Sequence, residues 1–257
     1  MKQVSEVVVE VRNLNLSYDD YVVMRNLNFK ILKGDVFIIM GGSGCGKSTL
    51  LKSLIGLRAP AGGEVLYGER NFWREDESAQ KDLMRRFGVL YQSGALWSSL
   101  TLGENVALAL ELYSNLSASQ IQEVVELKLA LVGLSGYSQF YPSEISGGMR
   151  KRAGLARAIA LDPDIIFFDE PSAGLDPINS RMLDDLILQL RDALGATFVV
   201  VTHELASIFA IGNNSVFLDE NSKTIIAEGD PKHLLANSRD PHVIEFLTRG
   251  QKQGAGQ

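Results

Sequence analysis

A glycine-rich run that contains one lysine and ends in a hydroxyl residue has the composition of a phosphate-binding loop. It fits the spacing G-x-x-x-x-G-K-[ST] and reads Gly41-Gly42-Ser43-Gly44-Cys45-Gly46-Lys47-Ser48. Glycines let backbone N–H groups converge on phosphate oxygens, and a helix N-terminus adds positive potential. We expect Lys47 to reach the β- and γ-phosphates of a nucleotide and Ser48 to ligate Mg²⁺. The alternative is a glycine turn with an incidental lysine. The dinucleotide spacing G-x-G-x-x-G fails, because counting from Gly42 puts Lys47 in the last position.

The single cysteine of the chain, Cys45, lies inside this loop. A catalytic thiol needs a neighbouring base, and the local sequence offers none, so we interpret Cys45 as a small filler. Lys47 and the helix N-terminus are expected to lower its pKa and to make it prone to oxidation. One cysteine cannot form an intrachain disulfide, so nothing indicates an oxidising compartment.

A second site candidate is a pair of carboxylates, Asp169 and Glu170, that follows the apolar run Ile165 to Phe168. The carboxyl ends of strands in an open α/β sheet form the edge where ligands bind. We expect Asp169 to hold the Mg²⁺ shell and Glu170 to orient and deprotonate an attacking water. The alternative is a solvated acidic turn before Pro171.

The hydrophobic pattern predicts the elements that position these residues. Antiparallel strands are expected at Val7 to Val11 and Val22 to Ile31, with a turn at Tyr18 to Asp20. The remaining predicted strands are short and apolar, and they fall at Val36 to Met40, Glu64 to Tyr67, Ile165 to Phe168, Thr197 to Val201 and Ser215 to Leu218. Gly62 and Gly63 are interpreted as a break before one of these strands.

Helical periodicity covers several of the intervening segments. The predicted helices are Lys47 to Leu57, Asn105 to Tyr113, Ala118 to Val132, Gly148 to Ala160, Asn179 to Leu194 and Glu204 to Ile211. Strands that alternate with helices predict a parallel sheet with helices on both faces. We therefore expect one domain over residues 5–240, with a helical subdomain inserted near 93–162. A tail follows over 241–257, and its Gly/Gln-rich end, Gln251 to Gln257, is predicted to be disordered.

Composition excludes several classes of protein. Of the 257 residues, 46% are hydrophobic and 22% are charged, which is typical of a globular chain. The net charge of −6 disfavours binding to nucleic acid, because such domains are usually basic. No apolar run approaches the roughly 18 residues needed to span a bilayer, and the N-terminus lacks a signal-peptide pattern. We expect a soluble cytoplasmic protein.

A third motif makes the ensemble resemble a known family. The segment Ile145-Ser146-Gly147-Gly148-Met149 opens a predicted helix with Ser146 as its N-cap; taken alone, it is only a capped helix. Together with the phosphate loop and the carboxylate pair, it resembles the ATP-binding cassette (ABC) family. That resemblance implies a P-loop NTPase fold of class α/β, with a RecA-like core, an antiparallel β subdomain and a helical subdomain. It also implies ATP and Mg²⁺ as cofactors, and a homodimer that sandwiches ATP head to tail.

The resemblance assigns roles to further residues. Tyr18 matches the aromatic residue that stacks on adenine, and Gln92 matches the glutamine that senses Mg²⁺. Ser146 to Met149 match the signature that contacts ATP bound by the opposite subunit. Asp176 matches a loop that communicates across the dimer, His203 matches the switch histidine, and Thr49 extends the nucleotide-binding run. Individually, Tyr18, Gln92 and His203 could be ordinary surface or helix-end residues.

Two departures from the family pattern stand out. Met149 and Ile145 replace the usual glutamine and leucine of the signature, and Met149 cannot make the hydrogen bonds of an amide. Gly42 stands where proline is common, which is expected to loosen the loop.

Two segments, Gln92 to Thr101 and Gly147 to Ala158, are similar to ATPases of Mla/Mce-type lipid transport systems. This similarity implies phospholipid transport through separate integral membrane permease subunits. It also implies a Mce-domain lipid-binding partner, and a peripheral position on the cytoplasmic face of the bacterial inner membrane.

Other functions remain open at this point. Within transport, an ABC importer of amino acids or ions is the nearest alternative. A P-loop kinase would need an acceptor site and would have no use for the serine-glycine-glycine signature. ABC ATPases that act in translation usually carry two cassettes and those in DNA repair a long coiled coil, and neither fits a single chain of 257 residues.

Overall fold

The strands and helices below come from a computed structural model that describes residues 6–249. In chain order they are β1 Val7–Tyr18, β2 Tyr21–Leu32, β3 Val36–Gly41, α1 Lys47–Leu54, β4 Gly62–Tyr67, β5 Arg70–Asn71, α2 Glu77–Met84, β6 Phe87–Leu90, α3 Leu102–Tyr113, α4 Ala118–Leu131, α5 Gly147–Ala158, β7 Ile165–Asp169, α6 Pro177–Leu194, β8 Thr197–Val201, α7 Leu205–Ile211, β9 Asn214–Asp219, β10 Thr224–Glu228, α8 Pro231–Asn237 and α9 Pro241–Leu247. Short 3₁₀ turns stand at Phe72–Arg74 and Pro142–Glu144. The segment Gln251 to Gln257, for which disorder was predicted, lies outside the described residues.

The described chain divides into two compact units, and the first contains residues 6–76 and 201–249. Its antiparallel sheet has the order β2-β1-β4-β5. The unit also contains three neighbouring strands in the order β10-β9-β3. Strand β10 pairs antiparallel with β9, and β9 pairs parallel with β3. Every residue of β3 is buried, as its all-apolar sequence predicts for a parallel strand with both faces covered.

The second unit, residues 77–200, contains the helical segment and β6 and β7, with β8 at its end. Strand β7 is the neighbour of β8 on one side and of β6 on the other. The pairing of β6 and β7 is parallel. Helices α3, α4 and α5 fall within 93–162, where the inserted helical subdomain was predicted.

Most predicted elements are confirmed, with shifted ends. The predicted helix Lys47 to Leu57 is too long: α1 ends at Leu54, and Gly56 then takes a positive φ of 81°. The interpretation of Gly62 and Gly63 as a break is wrong, because both belong to β4. A Cβ at Gly63 would lie 2.3 Å from the carbonyl oxygen of Asn13, so this glycine permits the close approach of β4 to β1.

Among residues 6–249, no helix combines the length and the hydropathy that a membrane crossing requires.

Candidate functional site

The glycine-rich loop stands where the sequence predicts it, between β3 and α1. Two of its glycines are required by sterics. A Cβ at Gly41 would lie 2.4 Å from the Leu218 carbonyl oxygen, and a Cβ at Gly46 would lie 2.7 Å from Val23. Gly46 is also the N-cap of α1 with a φ of 95°, a conformation that glycine adopts without strain. Glycine at these two positions therefore lets the loop pack closely against β9 and β2.

Other positions of the loop are open. An ideal Cβ at Gly42 or Gly44 meets no described atom within 4 Å. An anion can approach backbone N–H groups at a helix N-terminus only where no side chain fills the space, and these two positions leave such space. The first turn of α1 contains no acidic residue, so no carboxylate on the helix opposes the positive potential there.

Lys47 is 8% exposed, and its ammonium group is held over the loop. Nζ donates to the carbonyl oxygens of Gly41 at 2.9 Å and Gly42 at 2.7 Å. These neutral acceptors keep a buried cation in place, because a buried ammonium needs hydrogen-bond acceptors. The phosphate-binding interpretation fits this geometry.

The expectation of a lowered pKa for Cys45 is wrong. Cys45 is buried, and burial raises the pKa of its thiol more than the nearby Lys47 ammonium lowers it. A buried thiol favours its neutral form, because a thiolate is poorly solvated away from water. The interpretation of Cys45 as a filler agrees with its 2% exposure.

Tyr18 ends β1 and is 41% exposed, with a contact on its ring that sequence reasoning missed. The Arg58 guanidinium lies 3.5 Å from the centroid of the Tyr18 ring, and Arg58 Nη2 donates to the Ser17 carbonyl at 2.8 Å. A hydrogen bond to the Thr49 side chain lowers the pKa of Tyr18. Thr49 belongs to α1, so the tyrosine is tied to the helix that follows the phosphate loop.

His203 lies two residues beyond β8. The preceding residue, Thr202, donates its N–H to the Ile39 carbonyl of β3 at 3.3 Å, and its Oγ1 accepts from the Glu204 N–H at 3.1 Å. The backbone directly before His203 is thus bonded to the strand that leads into the phosphate loop.

In the second unit, the carboxylate pair stands at the end of β7 as predicted. Asp169 is the last residue of the strand, and Glu170 follows it with a φ of 49°. A glutamate in this left-handed region costs about 1–3 kcal/mol, and such conformations cluster at functional sites. The Glu170 carbonyl accepts from the Ala173 N–H at 3.1 Å, which closes a turn.

Ser146 is the N-cap of α5 as predicted, and its Oγ accepts from the Met149 N–H at 3.2 Å. A Cβ at Gly148 would lie 2.9 Å from Asn179 Oδ1 of α6. The N-cap of α6 is Asp176, whose carboxylate accepts from Ile178 and Asn179. These bonds lower the pKa of Asp176. Gly148 of the signature therefore lies against the start of the helix that Asp176 caps.

Gln92 is exposed and lies two residues beyond β6, in a loop that α5 contacts. Arg157 of α5 donates to the carbonyls of Gly94 at 3.1 Å and Ala95 at 2.6 Å. Burial lowers the pKa of Arg157. A Cβ at Gly154 would lie 2.9 Å from the Gly94 carbonyl oxygen, so α5 approaches this loop too closely for any larger residue.

The predicted site residues thus fall into two groups. Tyr18, residues 41–49 and His203 belong to the first unit, whereas Gln92, residues 146–149, Asp169, Glu170 and Asp176 belong to the second. No cluster of three or more His, Cys, Asp or Glu side chains able to hold a metal occurs in the described part of the chain. A metal held mainly by nucleotide phosphates and water requires no such cluster.

The fold and these two groups of residues are those of a P-loop ATPase. The family model described as "ABC transporter" matches residues 24–173, which is more than half of the chain. The chain belongs to the ABC transporter family, and it binds and hydrolyses ATP as the members of that family do.

Curated relatives extend the match over nearly the whole chain. The chain is 40% identical to the "intermembrane phospholipid transport system ATP-binding protein MlaF" of Haemophilus influenzae, over 96% of this chain and 92% of the relative. The Escherichia coli K12 protein of the same name is 39% identical, over 96% and 91%. The "probable ribonucleotide transport ATP-binding protein mkl" of Mycobacterium tuberculosis H37Rv is also 39% identical, over 94% of this chain and 66% of that protein.

Solved structures agree with the family. The dimeric post-hydrolysis state of the ATP-binding cassette MJ0796 bound to ADP and Pi has a TM-score of 0.78 at 28% identity, covering 86% of this chain and 98% of that one. CbiO1 from Clostridium perfringens, part of the ABC transporter complex cbiONQ, has a TM-score of 0.83 at 25% identity, covering 95% of both chains. The predicted fold class is confirmed.

The contact between Arg58 and Tyr18 leads to a first testable prediction. If Tyr18 stacks on adenine, Arg58→Met should weaken ATP binding about two- to fivefold, because an exposed cation–π contact contributes about 0.5–1 kcal/mol. Binding of tripolyphosphate, which lacks the adenine, should not change. Both affinities can be measured by calorimetry.

Arg74→Met is the matched control, because Arg74 belongs to the same unit and pairs with Glu64 at 2.8 Å instead of with an aromatic ring. An equal loss of affinity for ATP and for tripolyphosphate in Arg58→Met would contradict a role through Tyr18.

Proposed function

We propose that this chain is the ATP-hydrolysing subunit of an ABC transporter that moves phospholipid between membranes through a separate permease. Near-full-length similarity to two proteins named for intermembrane phospholipid transport supports this substrate. A second candidate function is ribonucleotide transport, which the similarity to mkl supports because that protein is named for it. The first is favoured, because the phospholipid transport proteins match over most of their own length and mkl over two thirds.

The observation that carries the ATPase function is the geometry of the phosphate loop. Backbone N–H groups of residues 41–49 are proposed to bind the phosphates of ATP at the N-terminus of α1. Lys47 is the cation already held over the loop, and it would turn from carbonyl oxygens to the β- and γ-phosphates. Tyr18 is proposed to stack on the adenine, with Arg58 covering one face of its ring.

We further propose that Ser48, Gln92 and Asp169 contribute oxygen ligands to Mg²⁺. Hydroxyl, amide and carboxylate oxygens are the hard donors that Mg²⁺ prefers, and it usually keeps phosphates and water as its remaining ligands. When bound, Mg²⁺ neutralises charge that develops on the transferred phosphoryl group.

Hydrolysis is proposed to follow from in-line attack of water on the γ-phosphorus, which breaks the bond to the β–γ bridging oxygen and releases ADP and phosphate. Glu170 is proposed to accept the proton of that water as a general base, and His203 is proposed to contact the γ-phosphate. Donors that meet charge as it develops lower the barrier most, and the signature Ser146 to Met149 of a second copy would supply them. The Met149 side chain has no donor to offer the γ-phosphate, and the Met149 N–H donates to Ser146 Oγ.

The proposed partners follow from this scheme. A homodimer places two phosphate loops against two signatures, with Asp176 communicating between the copies. Integral membrane permease subunits and a Mce-domain lipid-binding subunit would complete the transporter, with this chain on the cytoplasmic face of the bacterial inner membrane. The dimeric state of the cassette MJ0796 supports the homodimer.

A reconstituted complex tests the proposed substrate. This chain, purified with the permease that accompanies it and placed in vesicles, should redistribute a labelled phospholipid only when MgATP is present. Lys47→Ala should abolish that redistribution and ATP turnover, because it removes the side-chain cation from the loop. ATP-driven movement of ribonucleotides without movement of phospholipid would contradict the proposal and favour the second candidate.

The general base generates another prediction. Glu170→Gln keeps the size of the side chain but cannot accept a proton, so single-turnover hydrolysis should fall about 10²–10⁴-fold. ATP binding should survive, and the dimer should persist because hydrolysis no longer releases it. Gel filtration with MgATP should show a dimer for Glu170→Gln and a monomer for the unmodified chain. Hydrolysis at the normal rate with no trapped dimer would contradict the assignment.

A further inference from the structure

Lys151 of α5 has a buried ammonium group that no role described above uses. The residue is 6% exposed. Its Nζ donates to the carbonyl oxygens of Pro171 at 2.6 Å and Ala173 at 2.5 Å. Both acceptors belong to the turn that directly follows Glu170. A lysine on the signature helix is thus bonded to the backbone that carries the proposed general base.

Both bonds act on a strained part of the backbone. Glu170 has a φ of 49°, in the left-handed region that residues with a Cβ rarely adopt. Such a conformation persists only where surrounding structure determines it. The Ala173 N–H closes the turn by donating to the Glu170 carbonyl at 3.1 Å. Lys151 donates to the Pro171 and Ala173 carbonyls of the same turn. The turn is therefore fixed from within and from α5.

Charge links the same two residues. Burial lowers the pKa of Lys151, and the Glu170 carboxylate opposes that shift. Hydrogen-bond acceptors and a nearby negative charge both favour the protonated form of a buried ammonium group. Its acceptors are the two carbonyls, and its negative neighbour is the glutamate that precedes them. The arrangement ties the charge of Lys151 to the position of Glu170.

Its place on α5 gives this contact a functional meaning. Ser146 caps the helix, and Lys151 lies one turn after Gly147. A displacement of the signature end of α5 would therefore be transmitted to the Glu170 turn through two short hydrogen bonds. By contrast, the next residue, Arg152, donates to the carbonyls of Val132 at 3.1 Å and Gly133 at 3.2 Å, at the end of α4.

We propose that Lys151 is a positioning residue that holds Glu170 in its catalytic conformation and couples it to the signature of the same chain. This inference rests on the proposed role of Glu170 in ATP hydrolysis. The coupling is mechanical and electrostatic. Lys151 acts through the backbone of Pro171 and Ala173, to which its ammonium group donates.

Lys151→Met tests the proposal, because methionine keeps the length of the side chain and removes the charge and all donors. In the full chain, kcat for MgATP should fall about 10- to 100-fold, since small misplacement of a catalytic group has an effect of that order. KM should change less than twofold, because the phosphate loop is untouched. Lys151→Gln, which retains two N–H donors, should lose less activity than Lys151→Met, and it serves as the test if the methionine variant does not fold.

Arg152→Met is the matched control, a cation removed from the next position of the same helix that also bonds two backbone carbonyls. It should keep kcat within about twofold of the unmodified chain, although its melting temperature should fall. Equal losses of kcat in Lys151→Met and Arg152→Met would show a general effect on folding and overturn the proposal.

A double-mutant cycle with Glu170→Gln separates positioning from other roles. If Lys151 acts through Glu170, adding Lys151→Met to Glu170→Gln should change single-turnover hydrolysis less than twofold, because coupled residues are not additive. A full additional loss would overturn the proposal. Failure of the proposed ATPase function would be seen separately, as normal hydrolysis in Lys47→Ala.

Discussion

The rest of the structure depends on the steric constraint at the glycine loop between β3 and α1. Gly41 passes so close to the Leu218 carbonyl of β9, and Gly46 so close to Val23 of β2, that no side chain fits at either position. This close approach delivers the loop to the N-terminus of α1, where helix potential and Lys47 together favour an anion. We propose that the backbone of this loop itself forms the surface that binds the triphosphate.

In the second unit, helix α5 contacts the segments that carry several of the proposed site residues. The N-terminus of α5 carries the signature and its side chains reach two loops, one with Gln92 and one that follows Glu170. Gly148 leaves no room for a side chain against Asn179, and Gly154 leaves none against Gly94. Helix α5 therefore packs closely against both segments. Helix α5 thus contacts each loop of this unit to which the family resemblance assigns a role.

The sequence predicts those parts of the fold that local patterns encode. The strand, loop and helix around residues 36–54 and the strand that ends in Asp169 follow from apolar runs and glycine spacing. Helix α3 begins at Leu102 and not at Asn105, and the capping box of Thr101 and Glu104 is a signal that would have placed its start. Helices α8 and α9 were missed, although Asp230-Pro231 and Asp240-Pro241 are N-cap signals that the sequence contains.

Local sequence patterns do not predict the contacts of Arg58 with Tyr18 and of Lys151 with the Glu170 turn. Each joins residues far apart in the chain, and nothing in the local sequence distinguishes these cations from solvated ones. Packing alone decides their partners. The raised pKa of Cys45 has the same origin, because burial, which the loop sequence does not reveal, outweighs the nearby lysine.

The central claim is that each site of hydrolysis combines the phosphate loop of one copy with the signature of another. A mixture of Lys47→Ala and Ser146→Arg chains tests it most directly, because only a mixed dimer contains one phosphate loop and one signature that are both intact and face each other. Each variant alone should be inactive, and an equimolar mixture should recover up to about a quarter of the ATPase activity of the unmodified chain, since half of the dimers formed at random each contain one intact site of two. No recovery in a mixture that forms mixed dimers, or full activity of Ser146→Arg alone, would contradict the claim.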